Sequence, residues 1–205
     1  MTENKPKVEI LGYKDQWQEV KDRAMNTIGK KTGKYPTSEW KERIIKAEHS
    51  PIRVNEFTVQ ITNAPYWVVM HLVRHYLGVI PFVSTQRTDR TGIDRTKLPQ
   101  DNEVMYTFKL NTQAFINISR KRLCTCASLE TRQLWQMVVD ELAKYEPEIA
   151  SNCVRECVYR GFCPEMYSCG YDETDAFKKD LEEYRRKIIE YRKKHKKKSI
   201  KGETI

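Results

Sequence analysis

Six arginines stand in the middle of the chain: Arg74, Arg87, Arg90, Arg95, Arg120 and Arg122. A guanidinium grips a phosphate or carboxylate through parallel N–H donors, a geometry that a lysine ammonium does not offer. Alone, the cluster says only anion site, and a set of surface ion pairs reads equally well from it. Three histidines accompany the arginines, His49, His71 and His75. Each reads either as a ligand contact or as a hydrogen-bonded structural histidine. Ser84 lies just before Arg87, where its hydroxyl and N–H would suit phosphate or simply cap a loop. The chain also carries six cysteines, and Cys153, Cys157, Cys163 and Cys169 fall within seventeen residues. Only the Cys153/Cys157 pair has the spacing usual for zinc, although Gly161 and Pro164 would let the later thiolates fold back onto it. A structural zinc on these four, an iron–sulfur cluster and unliganded reduced thiols are all open. Cys124 and Cys126, two apart on a helix, face different sides and are not expected to act as one dithiol.

Several elements must position these groups. Trp17, Val20 and Ala24 recur at helical spacing over residues 14–28. The stretch GKKTGKYP is a loop, after which Thr37 or Ser38 caps a helix reaching about residue 48. Pro51 ends it, and Ile52, Val54, Phe57, Val59 and Ile61 then read as a strand. Pro65 opens a helix through Trp67, Val68, His71 and Leu72 to His75, ended by Gly78 and Pro81; a polar, arginine-bearing loop follows. Val104, Tyr106, Phe108 and Leu110 alternate with polar residues as a second strand. Helices are expected over 113–122, 129–145 and 175–194, with a cysteine-bearing loop or short helix at 153–169. Helices around a small sheet make an α+β or α/β fold. Residues 1–175 read as one domain and 176–205 as a basic helix and tail.

The order of the polar residues carries a resemblance. Arg74-His75-Tyr76, seven further residues and Ser84 resemble the Arg-His-Arg, seven residues, Ser signature of the flavin-dependent thymidylate synthases (ThyX). His49 falls where that family has a flavin-contacting histidine, and His71 where it has a substrate-binding glutamine. Arg95-Thr-Lys-Leu-Pro99 is similar to the family's Arg-x-x-Leu-Pro. Asn111, Asn117, Arg122, Ala127 and Glu130 keep the family's register, so the likeness spans about residues 49–146. It implies a small antiparallel-type sheet packed with helices. It implies that His49, Arg74, His75 and Asn117 hold FAD, and that His71, Ser84, Arg87, Arg95 and Arg122 hold a dUMP-like nucleotide. Arg122, gripping the nucleotide beside the flavin, is the catalytic candidate. The implied reaction reduces FAD with NADPH and converts dUMP to dTMP with a one-carbon unit from methylenetetrahydrofolate, in a homotetramer whose sites lie between subunits. Arg87, Arg95 and Arg122 arrive from three segments and are expected to converge on the phosphate and base.

The departures cluster around the flavin and pyrimidine. Tyr76 stands for the third signature residue, Pro81-Phe82 for an Asn-Glu, and Cys126 for a flavin-contacting histidine. One extra residue separates Ser84 from Arg87, so Gln86 or Arg87 takes the family arginine's place, and charge favours Arg87.

The net charge is +9, much of it in residues 178–201. That tail reads as a solvated helix face or as a nucleic-acid patch, the former being favoured. No apolar run approaches the roughly 20 residues of a membrane helix, and MTENKPKVEI holds no apolar stretch suited to a signal peptide. A cytoplasmic protein is expected, without membrane contact. Two alternatives stand beside the thymidylate-synthase reading. One is a related flavin-dependent modification of another pyrimidine nucleotide; the other is a non-catalytic, zinc-stabilised nucleic-acid-binding protein.

Overall fold

Val104, Tyr106, Phe108 and Leu110 are all buried, along one face of a strand whose other face carries Met105, Thr107 and Lys109. This strand, β4 (Glu103–Asn111), is central in a four-stranded antiparallel sheet of order β1-β2-β4-β3. The other strands are β1 (Lys7–Leu11), β2 (Glu56–Pro65) and β3 (Val79–Val83). The computed structural model describes residues 5–199. The last residues of the basic tail, 200–205, lie outside them, as do the side chains of 187–189 and 191–199.

Around the sheet lie α1 (Trp17–Asn26), α2 (Ser38–Lys46), α3 (Tyr66–Leu72), α4 (Thr88–Thr91), α5 (Thr112–Arg122) and α6 (Leu129–Ala143). Two short helices, α7 (Pro147–Ala150) and α8 (Glu156–Arg160), precede the long α9 (Asp175–Ser199). The fold is therefore α+β, as expected. Thr37 caps α2, its hydroxyl accepting from the Trp40 N–H, and Ser128 caps α6 from Thr131 in the same way. Helix α6 buries Leu134, Trp135, Val138 and Leu142 at helical spacing against the sheet. The Ser119 hydroxyl of α5 donates to the Phe115 carbonyl (2.7 Å) and accepts from the Trp135 indole (2.9 Å), tying α5 to α6 through buried, satisfied donors.

Two strands escaped the sequence reading. In β3, Pro81 lacks a ladder donor but is tolerated because β3 is an edge strand. The other, β1, is five residues long and also at an edge. Ile52 and Val54, expected to begin a strand, instead lie in a 3-10 turn over Ser50–Val54 with Pro51 in its first turn. The helix expected to reach His75 stops at Leu72, and the His75 N–H then bonds the Leu72 carbonyl (3.1 Å). Gly78 lets the chain reverse into β3: its φ is 74°, and a Cβ there would lie 2.9 Å from the Asn111 amide nitrogen. The irregularity in β2 between Ile61 and Ala64, with Asn63 at φ 56°, bends the strand where it leads into α3. Helix α9 rests through Phe177 on a small second core with Cys157 and Val158.

Candidate functional site

Helix α3 buries Val68, Val69 and Leu72, which leaves His71 half-buried at its end and brings His75 just beyond it. Arg122, the last residue of α5, reaches across to both: its Nε donates to His75 Nε2 at 2.7 Å, and its Nη2 donates to the His71 carbonyl at 2.8 Å. Since His75 Nε2 accepts, its proton sits on Nδ1, the neutral tautomer. Burial first, and then the neighbouring Arg122 charge, hold His75 down at about 4. His71 is lowered as well, by burial, then Arg122, then Arg74. Its Nδ1 lies 3.1 Å from the Thr131 hydroxyl, which in turn accepts from Ser128 (2.8 Å), and Trp67 meets its ring edge-on. Thr131 was not singled out in the sequence, though Ser128 three residues earlier marks it as part of a helix cap.

The guanidinium of Arg122 is lowered by burial and then by the repulsion of Arg74. Among the described residues, neither arginine makes an ion pair. Two of the five N–H donors of a guanidinium are engaged on Arg122, leaving three. Arg122, half-buried with only neutral hydrogen-bond partners and beside the exposed Arg74, keeps donors that suit an anion.

The remaining residues fall into separate places. Ser84 extends the β3–β4 pairing, with its N–H donating to the Met105 carbonyl (2.9 Å) and its hydroxyl accepting from the Met105 N–H (3.0 Å). Arg87 and Arg95 come together, lining an open concavity of about 520 Å³ with Thr88 and Asp89. Arg122 is not among its lining residues, so the expected convergence of all three does not occur there. The Arg87 fork is held by Asp89 at 3.0 and 2.6 Å, an exposed pair that an incoming phosphate can displace at little cost. Asn117 is exposed on α5, accepting from Gln113 (3.2 Å) and Arg120 (3.4 Å), and His49 is exposed before the 3-10 turn. Arg120 is a structural group: it pairs with Glu48 and lies 3.5 Å above the Tyr159 ring.

The cysteines divide differently from the expected zinc set. Cys153 is buried in the main core, where burial pushes its thiol up to about 12. Cys157, Cys163 and Cys169 instead share a small cavity of about 10 Å³ with Cys124. Cys124 and Cys126 lie in the turn after α5 rather than on a helix, and their thiols are hydrogen-bond neighbours, a correction to the reading that they face apart. Among the described residues, no three Cys, His, Asp or Glu side chains are grouped to hold a metal ion. The thiols carry no disulfide.

Solved structures share this fold. The UMP/dUMP methylase PolB from Streptomyces cacaoi, bound with 5-Br dUMP, superposes with a TM-score of 0.58 at 15% identity, covering 77% of this chain and 96% of that one. Thymidylate Synthase X (ThyX) from Helicobacter pylori, with FAD and dUMP, gives 0.59 at 11% identity, covering 73% and 99%. The chain therefore has a ThyX-like fold, as its residue pattern implied. No family model and no curated protein matches the sequence. Among the described residues, no helix is long and apolar enough to cross a membrane.

Proposed function

We propose that the chain is a flavin-dependent enzyme acting on a pyrimidine nucleotide, and that its reaction is that of a thymidylate synthase. On this reading dUMP receives a one-carbon unit from methylenetetrahydrofolate, with FAD and NADPH supplying the reduction. The observation that carries it is the uncompensated Arg74/Arg122 pair, gathered with His71 and His75 where α3 meets α5 in a ThyX-like fold. Those residues fit an anionic, planar ligand: free guanidinium donors, neutral imidazoles and no competing carboxylate.

Bound FAD would supply the hydride chemistry, which no side chain of this chain can perform. His49, Arg74, His75 and Asn117 are the residues proposed to hold it. The chain's own part is placement and charge. Arg122, fixed in its rotamer by His75 and the His71 carbonyl, presents donors to charge growing on the pyrimidine oxygens. His75 stays neutral and serves as an acceptor that aims Arg122. Ser84, Arg87 and Arg95 are proposed for the phosphate, with His71 on the base. Since Arg87 and Arg95 line a concavity apart from Arg122, a homotetramer is the assembly in which the two halves would meet. Exposed apolar residues beside the site favour such association, Tyr76 being 73% and Phe82 60% exposed on the α3–β3 edge. Six free thiols suit a reducing, cytoplasmic location.

A second reading keeps the flavin and changes the nucleotide or the carbon transfer. Phe82, standing exposed in place of a family carboxylate, is the observation behind it. Flavin fluorescence tests the shared part: FAD should bind saturably, and Arg74→Ala should weaken it. Absence of binding at tens of micromolar FAD would remove the proposal. Product analysis with dUMP and UMP then separates the two readings.

A further inference from the structure

Residues of α2, α6, the segment before α8 and α9 line an open cavity of about 770 Å³, with Leu123 and Cys153 in its wall. That is within the roughly 300–1,000 Å³ of small-molecule sites. Four cations line it, each from a different element: Lys46, Arg132, Arg155 and Arg186. Against them stand two carboxylates, Asp180 and Glu183, both on α9. Asp180 already accepts from the Tyr171 hydroxyl at 2.5 Å.

Among the described residues, no carboxylate pairs with these cations. The Nε of Arg132 is buried without a hydrogen bond. The Lys46 ammonium lies over the Tyr184 ring at 2.9 Å, and Arg155 lies over the Tyr171 ring at 3.9 Å. Burial brings Lys46 down to about 7. Four cations against two carboxylates leave the lining net positive, and the partly buried Arg132 guanidinium lacks a partner at Nε, so the cavity favours a bound anion.

The shape of the set narrows the class of anion. A carboxylate offers two oxygens in one plane, which suits a single fork. A phosphate chain offers oxygens on all sides, which suits cations arriving from four elements, with Gln136, Ser151 and Tyr184 as further donors in the wall. We infer that this cavity is a second ligand site, distinct from the α3–α5 cluster, and that it takes a small molecule bearing a chain of phosphates.

The inference is independent of the flavin reading, because its probe is neither FAD nor dUMP. Calorimetry with tripolyphosphate, in low salt and again at about 0.15 M salt, should show saturable binding to the full chain. Lys46→Met and Arg132→Gln should each weaken that binding by about tenfold or more, the loss typical of a charge-assisted contact. Both should leave FAD binding intact. Arg74→Ala should do the reverse, lowering FAD affinity and sparing tripolyphosphate. Thermal melts confirm that each variant is folded, and either cavity variant alone suffices for the comparison. Citrate, with three carboxylates, should bind more weakly than tripolyphosphate. The inference is overturned if tripolyphosphate does not bind in low salt, if both cavity variants bind it like the parent, if Arg74→Ala abolishes its binding, or if citrate binds equally well.

Discussion

Replacing Arg122 with Gln probes the centre of the proposed site, because the structure separates what the guanidinium does for the fold from what it offers a ligand. In the free protein it donates to two neutral acceptors, His75 Nε2 at 2.7 Å and the His71 carbonyl at 2.8 Å. Each bond contributes about 1 kcal/mol net, which is offset by the cost of half-burying a cation that Arg74 also repels. Folding stability should therefore change by no more than about 1 kcal/mol. Nucleotide binding should change far more. A charge-assisted hydrogen bond to an anion contributes about 1.5–3 kcal/mol, or roughly 10- to 100-fold in affinity for dUMP. His75 supplies a readout that a purely structural role would not move. Its depressed pKa, about 4, comes first from burial and second from the Arg122 charge. The Gln variant removes only the second cause, so the pKa should rise without reaching the ordinary value near 6.5. Arg122→Lys keeps the charge and loses the fork, so it should hold His75 low while still weakening dUMP. Histidine proton resonances followed through a pH titration, with calorimetry for dUMP, measure both effects. Unchanged His75 titration together with unchanged dUMP affinity in the Gln variant would refute the assignment of this cluster.

Acid sensitivity follows from the same histidine. A folded pKa of about 4 against about 6.5 unfolded means the unfolded chain binds more protons between those values. The contribution is complete above pH 6.5 and is lost as pH falls towards 4. The gap corresponds to about 3 kcal/mol, reduced to about 1–2 because the ring is only half-buried and partly screened. Urea unfolding of the parent and His75→Gln at pH 7 and pH 4.5 should show a smaller pH difference in the variant; equal differences would count against the burial of a neutral His75. The buried Cys153 should behave as a core side chain, so Cys153→Ala should cost about 1–2 kcal/mol equally with and without a chelator. A chelator that destabilises the parent but leaves the variant untouched would instead make Cys153 a metal ligand.

Most of the fold was legible because its elements are periodic on one side. β4 alternates cleanly, α6 repeats its apolar residues at helical spacing, and Thr37, expected with Ser38 as the cap of α2, does cap it. The missed strands lack such signals. At five residues each, β1 and β3 sit on the sheet's edges, and β3 exposes Ile80 and Phe82 while containing a proline. Their pairing with β2 and β4 is set by tertiary contact, which local propensity does not encode. The cysteines were misgrouped for a similar reason. Spacing joined Cys153 to Cys157, but Cys153 packs into the main core, while the turn after α5 brings Cys124 to the later three.

The arginine cluster shows where residue type stops being informative. Six arginines looked alike in sequence, and the structure sorts them by their counter-charges. Arg120 is matched by Glu48, Arg87 by Asp89, and Arg90 lies 3.9 Å from the same Asp89 carboxylate, while the exposed Arg95 makes no ion pair among the described residues and lines the open concavity with Arg87. Arg74 and Arg122 make no ion pair among the described residues; Arg122 donates instead to His75 and to the His71 carbonyl, and both imidazoles are held down first by burial and then by the arginine charges. A carboxylate placed there would have stabilised the free protein and excluded an anionic ligand. On the proposed reading, the bound anion supplies the counter-charge that is missing there. The same argument separates Arg87 from Arg122 within the proposed phosphate and base contacts. The Arg87–Asp89 pair is exposed and weakly held, so it can open for a ligand, whereas Arg122 is already aimed and needs no rearrangement.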